Sequence, residues 1–251
     1  MKMIVLAAGE GTRLRPYTLD KPKCMVEFNK KPMIDHLLDN CKALGLTNVI
    51  IVTGYKEDVL KAHLSNQNLT YCSNSNYNVS NMVSSLFCAQ NEMTEDIIIS
   101  YSDIIYKKSV LEELIQSKSD FSVVVDKNWK DLWSIRMEDP LSDAETLKIN
   151  SEGNIEELGK KPRSYSEIEG QYIGLLKIKK NALAKFINYY HSLDKTAIYD
   201  GKTFDNMFMT TLIQSIITNV MPVKPVFIKG GWLEIDSVED LKNYEKAAMA
   251  I

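Results

Sequence analysis

The chain has 251 residues, 45% of them hydrophobic and 25% charged, and a net charge of -3. That is the make-up of a soluble globular protein with a full core, and it excludes broad electrostatic attraction for nucleic acid, so any basic site must be local. No apolar stretch has membrane-spanning length and no signal peptide is evident, so a cytoplasmic protein without membrane partners is expected. The widely spaced Cys24, Cys41, Cys72 and Cys88 form no Cys-x-x-Cys pair, and with only three histidines a zinc site has little support.

The apolar run from Met3 to Ala8 reads as a buried strand that breaks into Gly9-Glu10-Gly11-Thr12-Arg13-Leu14, with Lys21-Pro22-Lys23 shortly after. Gly9 and Gly11 allow positive φ and close approach of a ligand to the main chain, and the amides freed from strand pairing can form an anion-binding concavity. Thr12 adds a hydroxyl, and Arg13, Lys21 and Lys23 add positive charge. The pattern points to phosphate. It is not the dinucleotide fingerprint, because Leu14 stands where the third glycine belongs, and Gly-Lys-Ser/Thr of the P-loop is missing.

A helix over Lys31–Gly45, a strand over Asn48–Gly54, a helix over 57–65 and a short strand over Leu69–Cys72 follow. Strand and helix alternating in this way imply a parallel sheet with right-handed crossovers. The asparagine-rich stretch Asn74–Asn81 then leads into a helix that Ser80 could cap. Its amides suit recognition of a base edge, and Asn81 and Ser84 are the candidates for a nucleoside. The apolar Ile97-Ile98-Ile99 runs to Asp103, at the carboxyl end of a buried strand where α/β proteins bind ligands. Magnesium takes one or two such carboxylates together with substrate phosphates, which makes Asp103 a metal candidate.

Phe121–Asp126 is another strand. Beyond it, Thr146–Ile149 and Ile155–Leu158 read as a hairpin about a Ser151–Asn154 turn, with a further strand ending at Ile178. Helices are expected over Asn181–Ser192 and Phe204–Ile217, and Pro225 argues for an edge position of the strand Pro222–Ile228. Trp232-Leu233-Glu234-Ile235-Asp236 opens onto a last helix over Val238–Ala247. By pattern alone Asp236 is as much an N-cap as a metal ligand, since Ser237 can cap too.

Leu6, Gly9, Gly11, Thr12, Arg13, Leu14 and Pro16, with Pro22 and Lys23, match Leu-x-x-Gly-x-Gly-Thr-Arg-Leu-x-Pro and a later Pro-Lys. This resembles the signature of the nucleotidyltransferases that activate sugar phosphates and related phosphomonoesters. Asp126–Trp129, Asp139–Glu145, Gly159–Lys161 and Tyr172–Gly174 are similar to the small cytidylyltransferase subgroup typified by the choline-phosphate enzyme.

The resemblance implies an α/β, doubly wound, mixed but mostly parallel Rossmann-like sheet in a single domain. Residues 1–126 would be its nucleotide-binding half, 127–180 a β-rich acceptor-binding elaboration continuous with the sheet at its edges, and 181–251 a C-terminal completion. It implies transfer of CMP from CTP to a small phosphorylated acceptor, foremost a glutamine phosphate of capsule phosphoramidate synthesis, with phosphocholine or a sugar 1-phosphate as alternatives. A monomer or homodimer acting on small molecules is expected, the rival readings being a non-catalytic nucleotide-binding relative and a dinucleotide-dependent oxidoreductase.

In this reading Mg2+ is held by Asp103 and Asp236, and Arg13 and Lys23 are catalytic. Leu6, Ala8, Gly9, Gly11, Thr12, Arg13, Asn81, Ser84 and Asp103 bind the nucleotide. The acceptor is assigned to Trp129, Lys160, Tyr172 and Trp232, whose aromatic rings could hold a quaternary ammonium or simply pack. Arg136, Lys127, Lys160 and Lys161 are the cations available to a carboxylate on the acceptor.

Overall fold

Alternation along the first strand sets the layering: Met3, Val5 and Ala7 enter the core on one face of the sheet, while Ile4 and Leu6 enter the core on the other. The computed structural model describes residues 1–249. Its main strands are β1 (Lys2–Ala7), β2 (Val49–Thr53), β3 (Thr70–Ser73), β4 (Ile97–Tyr101), β5 (Ile104–Tyr106), β6 (Phe121–Asp126), β7 (Leu147–Ile149), β8 (Ile155–Leu158), β9 (Gln171–Ile178), β10 (Lys224–Ile228) and β11 (Trp232–Glu234). The seven-stranded sheet has the order β10-β6-β9-β4-β1-β2-β3. All its neighbours pair in parallel except those of β9, which runs antiparallel to β4 and β6. The sheet is mixed and mostly parallel, with Pro225 on its edge strand.

Helices α1 (Met33–Ala43), α2 (Glu57–His63), α4 (Lys108–Gln116), α5 (Trp129–Arg136) and α8 (Val238–Lys246) bury apolar residues in one core. Helices α3 (Met82–Cys88), α6 (Lys180–Ser192) and α7 (Met209–Asn219) bury theirs in the other. Both faces are covered, which is why the central strands are mostly apolar along their length.

The structure departs from the sequence reading at several points. The last strand of the 127–180 block, β9, lies inside the sheet rather than at its edge, because its Ile173–Ile178 stretch buries apolar residues on both faces and its one charge, Lys177, donates to the Ile115 and Ser117 carbonyls. Trp129–Arg136 is helical, and Phe204–Asn206 is a separate 3-10 turn before α7. Asn81, not Ser80, caps α3 by accepting the Met82 N–H, while the Ser80 hydroxyl donates to the Asn76 carbonyl. The short strands β5 and β11 were not anticipated, and their antiparallel pairing positions the site.

Candidate active site

β1 and β4 lie side by side and end at the same rim, β1 running into the glycine loop and β4 toward Asp103. The two glycines of that loop are needed for different reasons. Gly11 has φ +67°, and a Cβ there would lie 2.8 Å from Cβ of Lys23. Gly9 has no positive φ, against expectation, but a Cβ on it would meet no atom within 4 Å and the residue lines the cavity, so it leaves room for a ligand against the main chain. Thr18 donates its hydroxyl to the Gly11 carbonyl at 2.9 Å and steadies the turn.

The second carboxylate arrives through β5 and β11. Trp232, Leu233 and Glu234 pair with Tyr106, Ile105 and Ile104, and Ile235 N–H donates to the Asp103 carbonyl at 2.9 Å. Residues more than a hundred positions apart are thereby drawn together, and Asp103, Glu234 and Asp236 each offer an oxygen within 4.8 Å of the others. Ser237, in a capping box with Asp240, caps α8. The cap that the position of Asp236 allowed is thus supplied by Ser237, and the Asp236 carboxylate faces the cavity.

Lys23 joins the two aspartates: its Nζ donates to Asp103 Oδ2 at 2.6 Å and to Asp236 Oδ1. Burial works against its charge, but the Asp103 and Asp236 carboxylates outweigh burial and hold its pKa above the ordinary lysine value. Lys23 is thus held as a cation between the two carboxylates. Burial raises the Asp236 carboxyl, while Lys23, helped by Arg13 and Arg136, pulls it below the usual value. Arg13 Nη2 lies 2.8 Å from Asp236 Oδ2 on a side chain that is 66% exposed, so it reaches the carboxylate from the solvent side.

Behind this layer Arg136, with only 1% of its side chain exposed, pairs with Glu234 and, at 3.0 Å, with Asp240. Burial pushes Glu234 up to about 7, with Asp236 and Asp103 adding to the shift and Arg136 opposing it. The donor set consists of hard oxygens, and the buried Oδ1 of Asp103 has no hydrogen-bond partner. Both features fit a magnesium ion.

Two cavities meet at Tyr101 and Met82. Leu6, Ala8, Gly9, Lys23, Asn81 and Asp103 line the first, and Thr12 and Arg13 flank its mouth together with Gly11 and Asp236. Tyr172 and Trp232 line the second.

Other expected site residues lie elsewhere. Ser84 turns its hydroxyl to the Asp205 carbonyl at 2.9 Å, Trp129 is buried against Trp133 and Tyr165, and Lys160 pairs with Glu157 at 2.8 Å. Sequence reasoning missed Glu234, although the period of two in Trp232-x-Glu234-x-Asp236 already puts Glu234 and Asp236 on one side of an extended segment. It also missed Tyr101, Gln171 and Glu145, the last of these at the end of the Asp139–Glu145 stretch that carried the resemblance.

Among relatives, the chain is 45% identical over 249 residues to the CTP:phosphoglutamine cytidylyltransferase of Campylobacter jejuni, covering 96% of this chain and 98% of that protein. The fold matches the CTP:phosphocholine cytidylyltransferase of Streptococcus pneumoniae with a TM-score of 0.73 at 20% identity, over 99% of both chains. It matches the inositol-1-phosphate CTP transferase of T. maritima with a TM-score of 0.74 at 20% identity, over 100% of this chain and 97% of that one. Residues 3–154, which contain the glycine loop, Lys23 and Asp103, match the model of the MobA-like NTP transferase domain. The chain thus belongs to the MobA-like NTP transferase family of nucleotidyltransferases.

Proposed function

We propose that this nucleotidyltransferase moves CMP from CTP to a small phosphorylated acceptor, and that the acceptor is glutamine phosphate. The observation that carries the reading is Lys23 held between Asp103 and Asp236 on the wall of the first cavity, beside the glycine loop. Similarity along nearly the full length of the Campylobacter enzyme supports the choice of nucleotide and acceptor.

An oxygen of the acceptor phosphate attacks the α-phosphorus of CTP as the α–β anhydride bond breaks, giving a CDP-linked product and pyrophosphate. The attacking oxygen is already anionic, so the protein needs neither a nucleophile nor a general base, and its contribution is alignment and charge neutralisation. Gly9, Gly11 and Thr12 cradle the triphosphate, Arg13 draws the leaving pyrophosphate, Lys23 steadies the α-phosphate against the incoming acceptor, and Asn81 contacts the cytidine. Asp103 and Asp236, with Glu234 beside them, would hold a magnesium ion that supplies positive charge to the phosphate oxygens.

No described helix is long and apolar enough to cross a membrane, in keeping with a soluble enzyme of the cytoplasm supplying a capsule phosphoramidate pathway. The test is a pyrophosphate-release screen of the four nucleoside triphosphates against glutamine phosphate, phosphocholine and sugar 1-phosphates. Turnover of CTP with glutamine phosphate is expected. Preference for UTP or dTTP with a sugar 1-phosphate would overturn the reading.

A further inference from the structure

The cavity beyond Tyr101 has a charge pattern opposite to the one a carboxylate-seeking pocket needs. Asp143, Glu145, Glu234 and Asp236 line it, and its cation, Arg13, is paired with Asp236 at 2.8 Å. The cations that could have met an acceptor carboxylate are committed elsewhere. Arg136 binds Glu234 and Asp240, Lys160 binds Glu157, Lys161 donates to the carbonyls of Leu141 and Ser142, and Lys127 lies 4.0 Å over the Phe227 ring.

Asp143 and Glu145, in contrast, have no ion-pair partner among the described residues. Glu145 is nonetheless held in place: its N–H donates to Gln171 Oε1 at 3.0 Å and its carbonyl accepts from Gln171 Nε2. Gln171 is itself 4% exposed, at the start of β9. Two further groups of the cavity wall are short of partners. The Trp133 indole N–H, on a side chain 5% exposed, and the Tyr172 hydroxyl are buried without a hydrogen bond. Such groups are rarely left so without a ligand or water to meet them.

Resting on the reading above, we propose that Glu145, with Asp143 beside it, forms an ammonium subsite that selects acceptors by their amino group. Two carboxylates on an aromatic wall attract a cation both by charge and through the ring faces of Tyr172, Trp133 and Trp232. The Trp133 N–H and the Tyr172 hydroxyl are then available to an acceptor oxygen. An α-amino acid head, with an ammonium and a carboxylate on one carbon, uses both halves of the subsite; a sugar phosphate uses neither charge.

The test compares glutamine phosphate with its analogue lacking the α-amino group, in the wild-type enzyme and in Glu145→Gln, with Asp143→Asn as a second variant. The wild type should favour the amino-bearing acceptor in kcat/KM by about 10- to 100-fold, the worth of one charged hydrogen bond. Glu145→Gln should raise KM for glutamine phosphate by a similar factor, leave KM for CTP unchanged, and accept both compounds equally. Undiminished discrimination in Glu145→Gln overturns the subsite while leaving the cytidylyltransferase reading intact. Turnover of phosphocholine alone, lost in Glu145→Gln, upholds the ammonium subsite and overturns the amino acid acceptor. Turnover of sugar 1-phosphates alone overturns both.

Discussion

The backbone N–H of Asp236 donates to Oδ2 of Asp240 at 2.9 Å, the same oxygen that accepts the N–H of Ser237. The other oxygen of Asp240 accepts Arg136 Nε at 3.0 Å. One carboxylate therefore completes the capping box of α8, fixes the backbone of the proposed metal ligand and neutralises the buried arginine behind it.

Arg136→Met should accordingly be costly. It leaves Asp240 and Glu234 without their cation in a buried setting, and breaking a pair of this kind costs about 3–5 kcal/mol. Urea unfolding should show a loss of that size. A midpoint unchanged from wild type would mean that the network does not hold this end of the fold together.

Asp103→Asn should abolish magnesium-dependent pyrophosphate release while leaving the circular dichroism spectrum and the unfolding midpoint near those of the wild type. The neutral amide keeps the shape of the side chain but loses the anionic oxygens that a hard cation requires. Normal turnover in this variant would falsify the assignment.

Lys23→Met should separate chemistry from metal affinity. Removing the ammonium from between Asp103 and Asp236 should slow turnover, yet it leaves Asp103 without its cation and Asp236 with one fewer. Binding of Mn2+ in the absence of nucleotide, followed by electron paramagnetic resonance, should tighten by about tenfold, or ~1.4 kcal/mol. Weaker binding would show that Lys23 does not occupy the region where the ion is held.

The acceptor dependence should vary with pH. Burial, reinforced by Asp143 and opposed by the Thr210 hydroxyl, pushes Glu145 up to about 7. The other titratable groups facing it are Tyr101 and Tyr172, whose hydroxyls burial raises first and the Glu145 carboxylate raises further. Below that pH Glu145 is protonated and offers no anion; above it the carboxylate is present. KM for glutamine phosphate should fall as pH rises through about 7 in the wild type by more than in Glu145→Gln. The acceptor's own phosphate titrates in both enzymes, so the difference isolates Glu145. Parallel profiles would remove Glu145 from acceptor binding.

Gly174→Ala should damage both cavities together. Gly174 has φ +83°, and a Cβ there would stand 2.4 Å from the Tyr101 ring, which belongs to both walls. Overpacking of this kind costs about 1–3 kcal/mol. Thermal melting should register the loss, and KM should rise for CTP and for the acceptor alike.

The half of the candidate site proposed to hold phosphate was legible because it is local. The glycine loop and Lys23 lie within fifteen residues of one another, and the apolar run before them declares a buried strand. Asp103 was legible from its place after Ile97-Ile98-Ile99. The meeting of Asp103 and Asp236 depends on three residue pairs between β5 and β11, strands too short to leave a periodic signal. Acceptor residues were harder still. Trp129 and Trp232 look alike in sequence, yet one, on α5, packs against Trp133 and Tyr165 and the other faces the cavity while its indole N–H donates to Asp126 at 2.8 Å. Tertiary packing alone separates them.

The position of β9 bears on how acceptor preference can be changed. Leu175–Ile178 shares a hydrogen-bonded ladder with Ile97–Ser100, and on its other side β9 pairs with β6. A segment proposed to read the acceptor is thus also a middle plank of the sheet, and cutting the block out whole would split the protein. Grafting from a relative with another acceptor should exchange the surface stretch before Gln171 and only single cavity-facing residues of β9, leaving the plank in place.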